Sequence, residues 1–151
     1  MPESLSSAPH WLVVGMTLLI VALTVVLHYE VLSGLNQHLP RWKHIPMRLR
    51  ILALIFLLLL LHVAEIWLFG LGIHLAIQDP QLGNVLGIAQ GNLLDAIYLS
   101  ATTYTTLGIG DLIPQGPIRF LIGTEAVVGL MMITWSASFT YLEMQRCWTP
   151  D

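Results

Sequence analysis

Long apolar runs separated by short polar connections dominate this chain. Residues 11–28, 51–77 and 118–143 contain few charged side chains, and each run is close to the ~20 residues with which an α-helix crosses a bilayer. None of the runs shows the strict alternation of apolar and polar positions that is typical of a half-buried strand. The pattern therefore predicts an all-α membrane protein with three transmembrane helices.

A fourth helix is predicted at residues 93–105, which are too few to cross a bilayer. Asn92 precedes this segment and Asp95 lies in its first turn. Both favour a helix start, since the Asn92 side chain can accept a backbone N–H bond and an acid suits the positive end of the helix dipole. Non-helical backbone follows at once, which is tolerated at membrane depth where protein or water surrounds it. We therefore expect a short re-entrant helix, entered from a loop at residues 78–92.

Basic residues are unevenly distributed. Four of the six Lys and Arg residues lie between the first two runs: Arg41, Lys43, Arg48 and Arg50. The positive-inside rule places this connection in the cytoplasm. Arg146 follows the third run, and Arg119 is then the basic residue expected outside. With a re-entrant segment between the second and third runs, the N-terminus is expected outside and the C-terminus in the cytoplasm, most simply across a bacterial inner (plasma) membrane.

Composition supports the membrane assignment and excludes several other classes. Hydrophobic residues make up 56% of the chain and charged residues 10%, whereas soluble domains have about 25% charged residues. The net charge of −3 gives no reason to expect nucleic acid as a partner. The single cysteine, Cys147, excludes an internal disulfide and a thiolate metal cluster. No nucleophile–base pair is apparent, so we do not expect an enzyme.

The most informative motif is Thr-Thr-Leu-Gly-Ile-Gly-Asp at residues 105–111. Gly108 and Gly110 bracket one residue, and glycine adopts positive φ without steric cost. Alternate residues can therefore turn their carbonyl groups to one side, where a row of oxygens can replace the hydration shell of a cation. A glycine turn between two helices is the alternative.

Placed between a short helix and a membrane-length apolar run, this motif resembles the filter of the potassium-channel pore family, in its small prokaryotic-type form with two helices and a pore loop. The resemblance covers residues 98–141 and, more loosely, 50–77. It implies a pore domain at residues 51–151, with these parts: outer helix 51–77, pore helix 93–105, filter 106–111 and inner helix 118–143. Residues 1–50 would then be an extra transmembrane helix with a cytoplasmic basic loop. The run at 11–28 contains no Arg or Lys, so we expect a peripheral helix that does not sense voltage.

The resemblance also implies the permeant ion and the assembly. The implied filter residues are Thr106, Leu107, Gly108, Ile109 and Gly110, with K⁺ bound at the first four. K⁺ would be the permeant ion and no cofactor is expected. One chain carries one filter, so the expected partners are three identical chains in a homotetramer, together with membrane lipid. Ile109 replaces the family's aromatic residue, which leaves two alternatives open: a non-selective monovalent cation channel, or a non-conducting membrane scaffold that retains the pore hairpin.

Other residues are implied to support the filter. Asp111 would lie at the outer mouth, and Tyr98 matches a family position whose aromatic donor reaches this acid from behind. Thr102 stands where some family members have an acid on the pore helix. Tyr104 is expected either to support the filter or simply to pack. An exposed loop acid remains the alternative for Asp111.

The third run contains a candidate hinge and candidate cavity residues. Gly129 matches the family position at which the inner helix can bend, although a membrane glycine can equally serve close packing. Ile133 and Ala137 lie one and two turns later, where they would line a cavity. The same stripe is also compatible with a helix-packing surface.

Glu65 and Glu125 are acids deep within apolar runs, and both should face protein or water because ionisable groups are costly in lipid. We expect Glu125 to hydrogen-bond to a hydroxyl of the pore helix, from Ser100, Thr102 or Thr103, and so to hold the filter from behind. The alternative is a cation-attracting ring on the cavity wall. His62 and Glu65 share a helix face, so a metal site formed by these two residues and Glu125 also remains open.

Overall fold

The computed structural model describes residues 8–41, 44–87 and 92–148, so Lys43 lies outside the described residues. The elements are α1 (Ala8–His38), α2 (Met47–Ala76), β1 (Asn84–Leu86), α3 (Leu93–Tyr104), β2 (Ile113–Gln115) and α4 (Arg119–Trp148), with a 3₁₀ turn at Leu39–Arg41. In the described part of the chain, α1, α2 and α4 are the three helices long and apolar enough to cross a membrane. The prediction of a mostly helical membrane protein with three spans is confirmed.

The first helix is longer than its hydropathy predicted. Residues 29–38 were expected to belong to a polar connection, but α1 continues through them to His38. Leu32 and Leu35 are buried in this extension, in a cluster with Leu54 and Leu58 of α2. The extension thus packs against protein, and it ends at His38, directly before the 3₁₀ turn at Leu39–Arg41. The boundaries of the other two spans also differ, since α2 begins at Met47 rather than at 51 and α4 continues to Trp148 rather than ending at 143.

One face of α1 is buried along its whole length. The buried residues recur every three or four positions: Val13, Thr17, Ile20, Thr24, His28, Leu32 and Leu35. This spacing places them on a single helix face, and that face packs against both α2 and α4. α1 therefore packs against the other helices along one face, while its place at the periphery of the pore and its lack of voltage sensing stay predictions.

The short helix α3 is held closely between α2 and α4. Its N-terminus is capped as predicted, with the Leu94 amide donating to Asn92 Oδ1 at 3.1 Å. A Cβ added at Gly70 of α2 would lie 2.9 Å from Ile97 Cα, and one added at Gly129 of α4 would lie 2.2 Å from the Tyr104 carbonyl oxygen. Glycines in both long helices therefore permit a backbone approach to α3 that no larger residue allows.

Two short strands close the loops around α3, where the sequence predicted irregular connections. β1 and β2 pair antiparallel, with Val85 opposite Pro114. The Ile118 amide also donates to the Leu82 carbonyl at 2.9 Å. These bonds join the segment before α3 to the segment after residues 105–111, so that α3 and the motif form one closed excursion between α2 and α4.

Candidate functional site

The backbone of the Gly-x-Gly motif alternates in conformation. After α3 ends at Tyr104, φ is +59° at Thr106, +54° at Gly108 and +85° at Gly110. Positive φ at every second residue is the backbone condition for turning successive carbonyl groups to one side. Thr106 adopts it although it is not glycine, and such conformations cost of order 1–3 kcal/mol and cluster at functional sites. We refer to residues 106–111 as the filter segment.

Backbone hydrogen bonds fasten the filter segment to the end of α3. The Thr106 amide donates to the Thr103 carbonyl at 2.9 Å, and the Gly108 amide donates to the Thr102 carbonyl at 3.0 Å. Amide groups of the segment thus face back towards α3. Its side chains are exposed in the single chain, with Leu107 67% and Ile109 56% accessible. Large apolar side chains exposed side by side are typical of a surface that another molecule covers.

The structure brings Tyr98 and Asp111 together, as the family resemblance implied. The pKa of Tyr98 is raised above its ordinary value, first by desolvation and then by a hydrogen bond and charge interaction with the Asp111 carboxylate. Asp111 is exposed, and its Oδ1 also accepts from the Leu112 amide at 3.1 Å. The Leu112 amide therefore holds the acid at the end of the filter segment, with the Tyr98 hydroxyl close enough to interact with it.

The Thr102 side chain does not take the place of a pore-helix acid. Its hydroxyl donates to the Leu99 carbonyl within α3 at 2.9 Å. Because a hydroxyl has one proton, this bond leaves none for Asp111. Thr102 contributes to the filter segment through its carbonyl group instead, which accepts from Gly108.

Glu125 of α4 contacts α3 through the hydroxyl group of Ser100, which also faces α2. Ser100 Oγ is in hydrogen-bond contact with Glu125 Oε1 and lies 2.8 Å from the Ile66 carbonyl oxygen. Ser100 and Glu125 are both fully buried. This is the hydrogen bond expected between Glu125 and the short helix, and it places the carboxyl group away from an open cavity wall. Because the side chain is fully buried, this position disfavours the alternative of a cation-attracting ring.

Counting protons indicates the state of this carboxyl group. Ser100 has one hydroxyl proton but two acceptors in range, so both contacts are satisfied when Glu125 carries a proton and donates it. Glu125 Oε2 has no hydrogen-bond partner among the described residues. An ionised carboxylate with one bare, buried oxygen would be costly. The geometry therefore favours a neutral carboxylic acid.

Gly129 lies directly against the end of α3, and α4 runs unbroken from Arg119 to Trp148. The structure therefore shows Gly129 in a close-packing role. In this conformation α4 does not break at Gly129, and the hinge stays a prediction. The two candidate cavity residues differ in environment: Ile133 packs against the buried core, whereas Ala137 is exposed. Of the two residues, Ala137 is the one whose exposed side chain is compatible with lining a cavity.

A cluster of polar side chains lies at the Tyr104 end of α3, and its members are buried except for His62, which is partly exposed. Its members are His28 from α1, His62 and Glu65 from α2, Tyr104 from α3 and Ser136 from α4; we call them the polar cluster. His28 Nδ1 is 2.8 Å from Glu65 Oε1, and His62 Nδ1 is 3.0 Å from Glu65 Oε2. The Tyr104 hydroxyl also donates to Glu65 Oε2. Sequence reasoning paired His62 with Glu65 but missed His28, whose one local signal is its place on the buried stripe of α1.

The metal set suggested by the sequence is wrong in one member. Glu125 contacts Ser100, whereas His28 completes a set with His62 and Glu65 whose ligand atoms lie within 4.8 Å of one another. Two imidazole nitrogens and a carboxylate are a donor set that suits zinc. Both nitrogens already face the carboxylate at hydrogen-bond distance, so a metal would have to displace the protons between them.

Comparison with known proteins is consistent with this geometry. The family model described as ion channel matches residues 54–145, more than half of the 151 residues. The inward rectifier potassium channel Kirbac3.1 of Paramagnetospirillum magnetotacticum is 36% identical over 66 residues, which are 42% of this chain and 22% of that relative. The chain thus spans less than a quarter of the relative's length, and no solved structure matches it.

The matched region includes α3, the filter segment and most of both flanking helices. A short helix followed by alternating backbone conformations, between two spans, is the arrangement that the family's pore requires. This chain therefore belongs to the ion-channel family.

Proposed function

We propose that four copies of this chain form a potassium-selective channel in which K⁺ passes through a ring of four filter segments. The observation that carries the proposal is the alternation of positive φ at Thr106, Gly108 and Gly110 immediately after a short helix. Backbone oxygens of Thr106, Leu107, Gly108 and Ile109 would replace the hydration shell of K⁺.

The elements around the filter segment suit this role. As the re-entrant pore helix, α3 would point its negative C-terminal end towards a dehydrated cation, which the helix dipole stabilises. Asp111, held by Tyr98, would concentrate cations at the outer mouth. No cofactor takes part, and the permeant ion is the ligand.

The homotetramer follows from stoichiometry and from exposure. One chain supplies one filter segment, and rings of oxygen need equal contributors around an axis. The exposed Leu107 and Ile109 side chains would be covered by neighbouring copies. A native mass of four chains in detergent or nanodiscs would support this assembly, whereas a monomer or dimer under conducting conditions would contradict it.

We further propose that Arg41, Arg48 and Arg50 lie on the cytoplasmic side of a bacterial inner membrane, with the N-terminus outside and the C-terminus inside. Arg50 Nη2 donates to the Leu39 carbonyl at 2.9 Å and so ties the start of α2 to the end of α1 on that side. Reporter fusions at each terminus test the orientation, and signal from an N-terminal cytoplasmic reporter would overturn it.

Glu125 would act as a brace in the conducting channel. Through Ser100 it links α4 to α3 and, through the Ile66 carbonyl, to α2. A buried hydrogen bond at this point opposes tilting of α3, and the filter segment begins at the end of that helix. The brace would replace part of the support that an aromatic residue at position 109 provides in the family.

Reconstituted channels give the decisive test. Purified protein in planar bilayers should pass current whose reversal potential lies close to that of K⁺ when K⁺ and Na⁺ are opposed across the membrane. A reversal potential near zero would replace selectivity with the second candidate, a non-selective cation pore, which the absence of an aromatic residue at Ile109 favours. No current from correctly assembled protein would favour a non-conducting scaffold.

A further inference from the structure

We infer that α1 is a functional part of the pore: through His28 and Glu65 it holds the Tyr104 end of α3 and thereby positions the filter segment from behind. This inference rests on the proposed channel function but adds residues that the filter motif does not contain. It assigns the extra N-terminal helix a positioning role.

Glu65 is the centre of the contact. Its side chain is fully buried in α2, where a carboxylate in a membrane protein must find donors within the protein. Three donors reach its two oxygens: His28 Nδ1 at Oε1, and His62 Nδ1 and the Tyr104 hydroxyl at Oε2. A carboxylate with three donors is well satisfied, and this makes the contact geometrically specific.

His28 is fixed by three helices. Its ring is fully buried on the inner face of α1. While Nδ1 faces Glu65, Nε2 lies 3.4 Å from Ser136 Oγ of α4, and the ring centroid lies 5.1 Å from that of Trp135. With Nδ1 as donor, Nε2 is free to accept from the Ser136 hydroxyl. The ring therefore joins α1, α2 and α4.

Tyr104 transmits the contact to the filter segment. It is the last residue of α3 and fully buried, and Thr106 follows two residues later. Its hydroxyl is held by Glu65 and also lies 3.1 Å from His62 Nδ1, while its carbonyl packs against Gly129. With the side chain and the carbonyl both held, the first backbone turn of the filter segment starts from a defined position.

The test compares K⁺/Na⁺ permeability ratios in variants that each remove one hydrogen-bonding group from this chain of contacts. Tyr104→Phe removes the hydroxyl, and His28→Leu removes the donor from α1. Each should lower the permeability ratio by roughly tenfold, the equivalent of one lost hydrogen bond. His28→Asn places an amide nitrogen near the position of Nδ1 and should retain a ratio close to that of the unmodified protein. The double variant His28→Leu/Tyr104→Phe should be little worse than either single one, since both act through Glu65.

Thr24→Val is the matched control. Thr24 lies one turn before His28 on the same face of α1, is equally buried, and its hydroxyl has no hydrogen-bond partner among the described residues. Its replacement should leave the permeability ratio unchanged. If His28→Leu and Tyr104→Phe lower the melting temperature of the tetramer but keep the original permeability ratio, the polar cluster only stabilises the fold and the inference is wrong.

Two further outcomes are distinguishable. If the unmodified channel itself fails to select K⁺, the proposed selectivity fails, and the inference is then judged by current stability: His28→Leu and Tyr104→Phe should speed the decline of current at constant voltage, while Thr24→Val should not. If a chelator reproduces the variants' effect on the unmodified protein, or if metal analysis finds zinc that His28→Leu removes, a bound metal holds α3 and the hydrogen-bonded contact is overturned.

Discussion

The two sides of the junction between α3 and the filter segment differ in exposure and in the groups that form their hydrogen bonds. On the front, residues 106–111 are exposed, hold positive φ at alternate positions and are fastened through backbone amides. On the back, Glu65 and Tyr104 are fully buried and joined through side chains. The front presents groups that a single chain leaves uncovered, whereas at the back the donors to Glu65 all come from the same chain. Changes at the front glycines should thus act on conduction through backbone conformation, and changes at the back through hydrogen bonding.

The two buried acids at the back also differ from each other. Both oxygens of Glu65 have donors, from His28, His62 and Tyr104. Glu125 has one oxygen in contact with Ser100 and one without a partner in the described part of the chain. The arrangement favours an ionised Glu65 and a neutral Glu125. The two glutamates therefore differ in the charge state that their surroundings favour, because their hydrogen-bond partners differ.

The largest expected effect is at the front, in Gly110→Ala. Gly110 has φ of +85°, and an alanine there costs roughly 1–2 kcal/mol in each chain, which a tetramer would bear four times. We expect ion flux from liposomes to fall to background while the tetramer still assembles. Gly123→Ala is the matched control, since an added Cβ there meets no atom within 4 Å. Normal flux in Gly110→Ala would refute the assignment of the filter segment.

The next effect is expected where the two sides meet, in Gly129→Ala. The new Cβ would lie 2.2 Å from the Tyr104 carbonyl oxygen, so either α4 or the end of α3 must move, at a cost of about 1–3 kcal/mol. The melting temperature and the current should both fall. Unchanged values for both would show that the close approach of α4 to α3 is not maintained in the membrane.

An intermediate effect is expected at Glu125. Glu125→Gln keeps a side chain that donates and accepts, and it should change the melting temperature and the reversal potential little. Glu125→Ala removes the hydrogen bond to Ser100, whose hydroxyl keeps only the Ile66 carbonyl, and should cost about 1–3 kcal/mol of stability. Equal loss of conductance in both variants, relieved at high K⁺, would instead indicate that a negative charge at position 125 attracts cations.

The smallest effect is expected at the outer mouth, in Asp111→Asn. Removing the exposed charge should lower single-channel conductance by roughly twofold at low salt, and the difference should disappear as salt screens the mouth. Tyr98→Phe leaves the charge in place and removes the hydroxyl that meets it, so its conductance at low salt should stay near the original. A loss that persists in concentrated KCl would assign Asp111 a structural role.

Local patterns in the sequence were sufficient for several elements. The three spans follow from hydropathy, and the start of α3 follows from Asn92, because a cap needs only neighbours in the chain. The alternating backbone of the filter segment follows from the spacing of its glycines. The positive φ of Thr106 was not predicted, because Thr106 is not a glycine. The contact of Glu125 with a hydroxyl of α3 was expected from the cost of an acid in lipid.

Local sequence patterns did not predict the contacts between residues that are distant in the chain. Hydropathy ended the first helix near residue 28, but Leu32 and Leu35 extend it because they pack against α2. His28 and Glu65 are 37 residues apart in the chain, and the place of His28 on the buried stripe of α1 does not indicate which residue it meets. Ser100 also contacts the backbone carbonyl of Ile66. Because every residue has a backbone carbonyl, the sequence could not indicate which one Ser100 would meet.

The sequence by itself determined the class of the protein, its number of spans and the position of the motif, since these depend on the composition of runs and on the conformational freedom of glycine. Only the tertiary structure decided which polar residues meet behind α3 and that α1 is one of the elements that supply them. The physical reason is that burial in a membrane requires each polar group to find a partner, but leaves the choice of partner to the packing of whole helices.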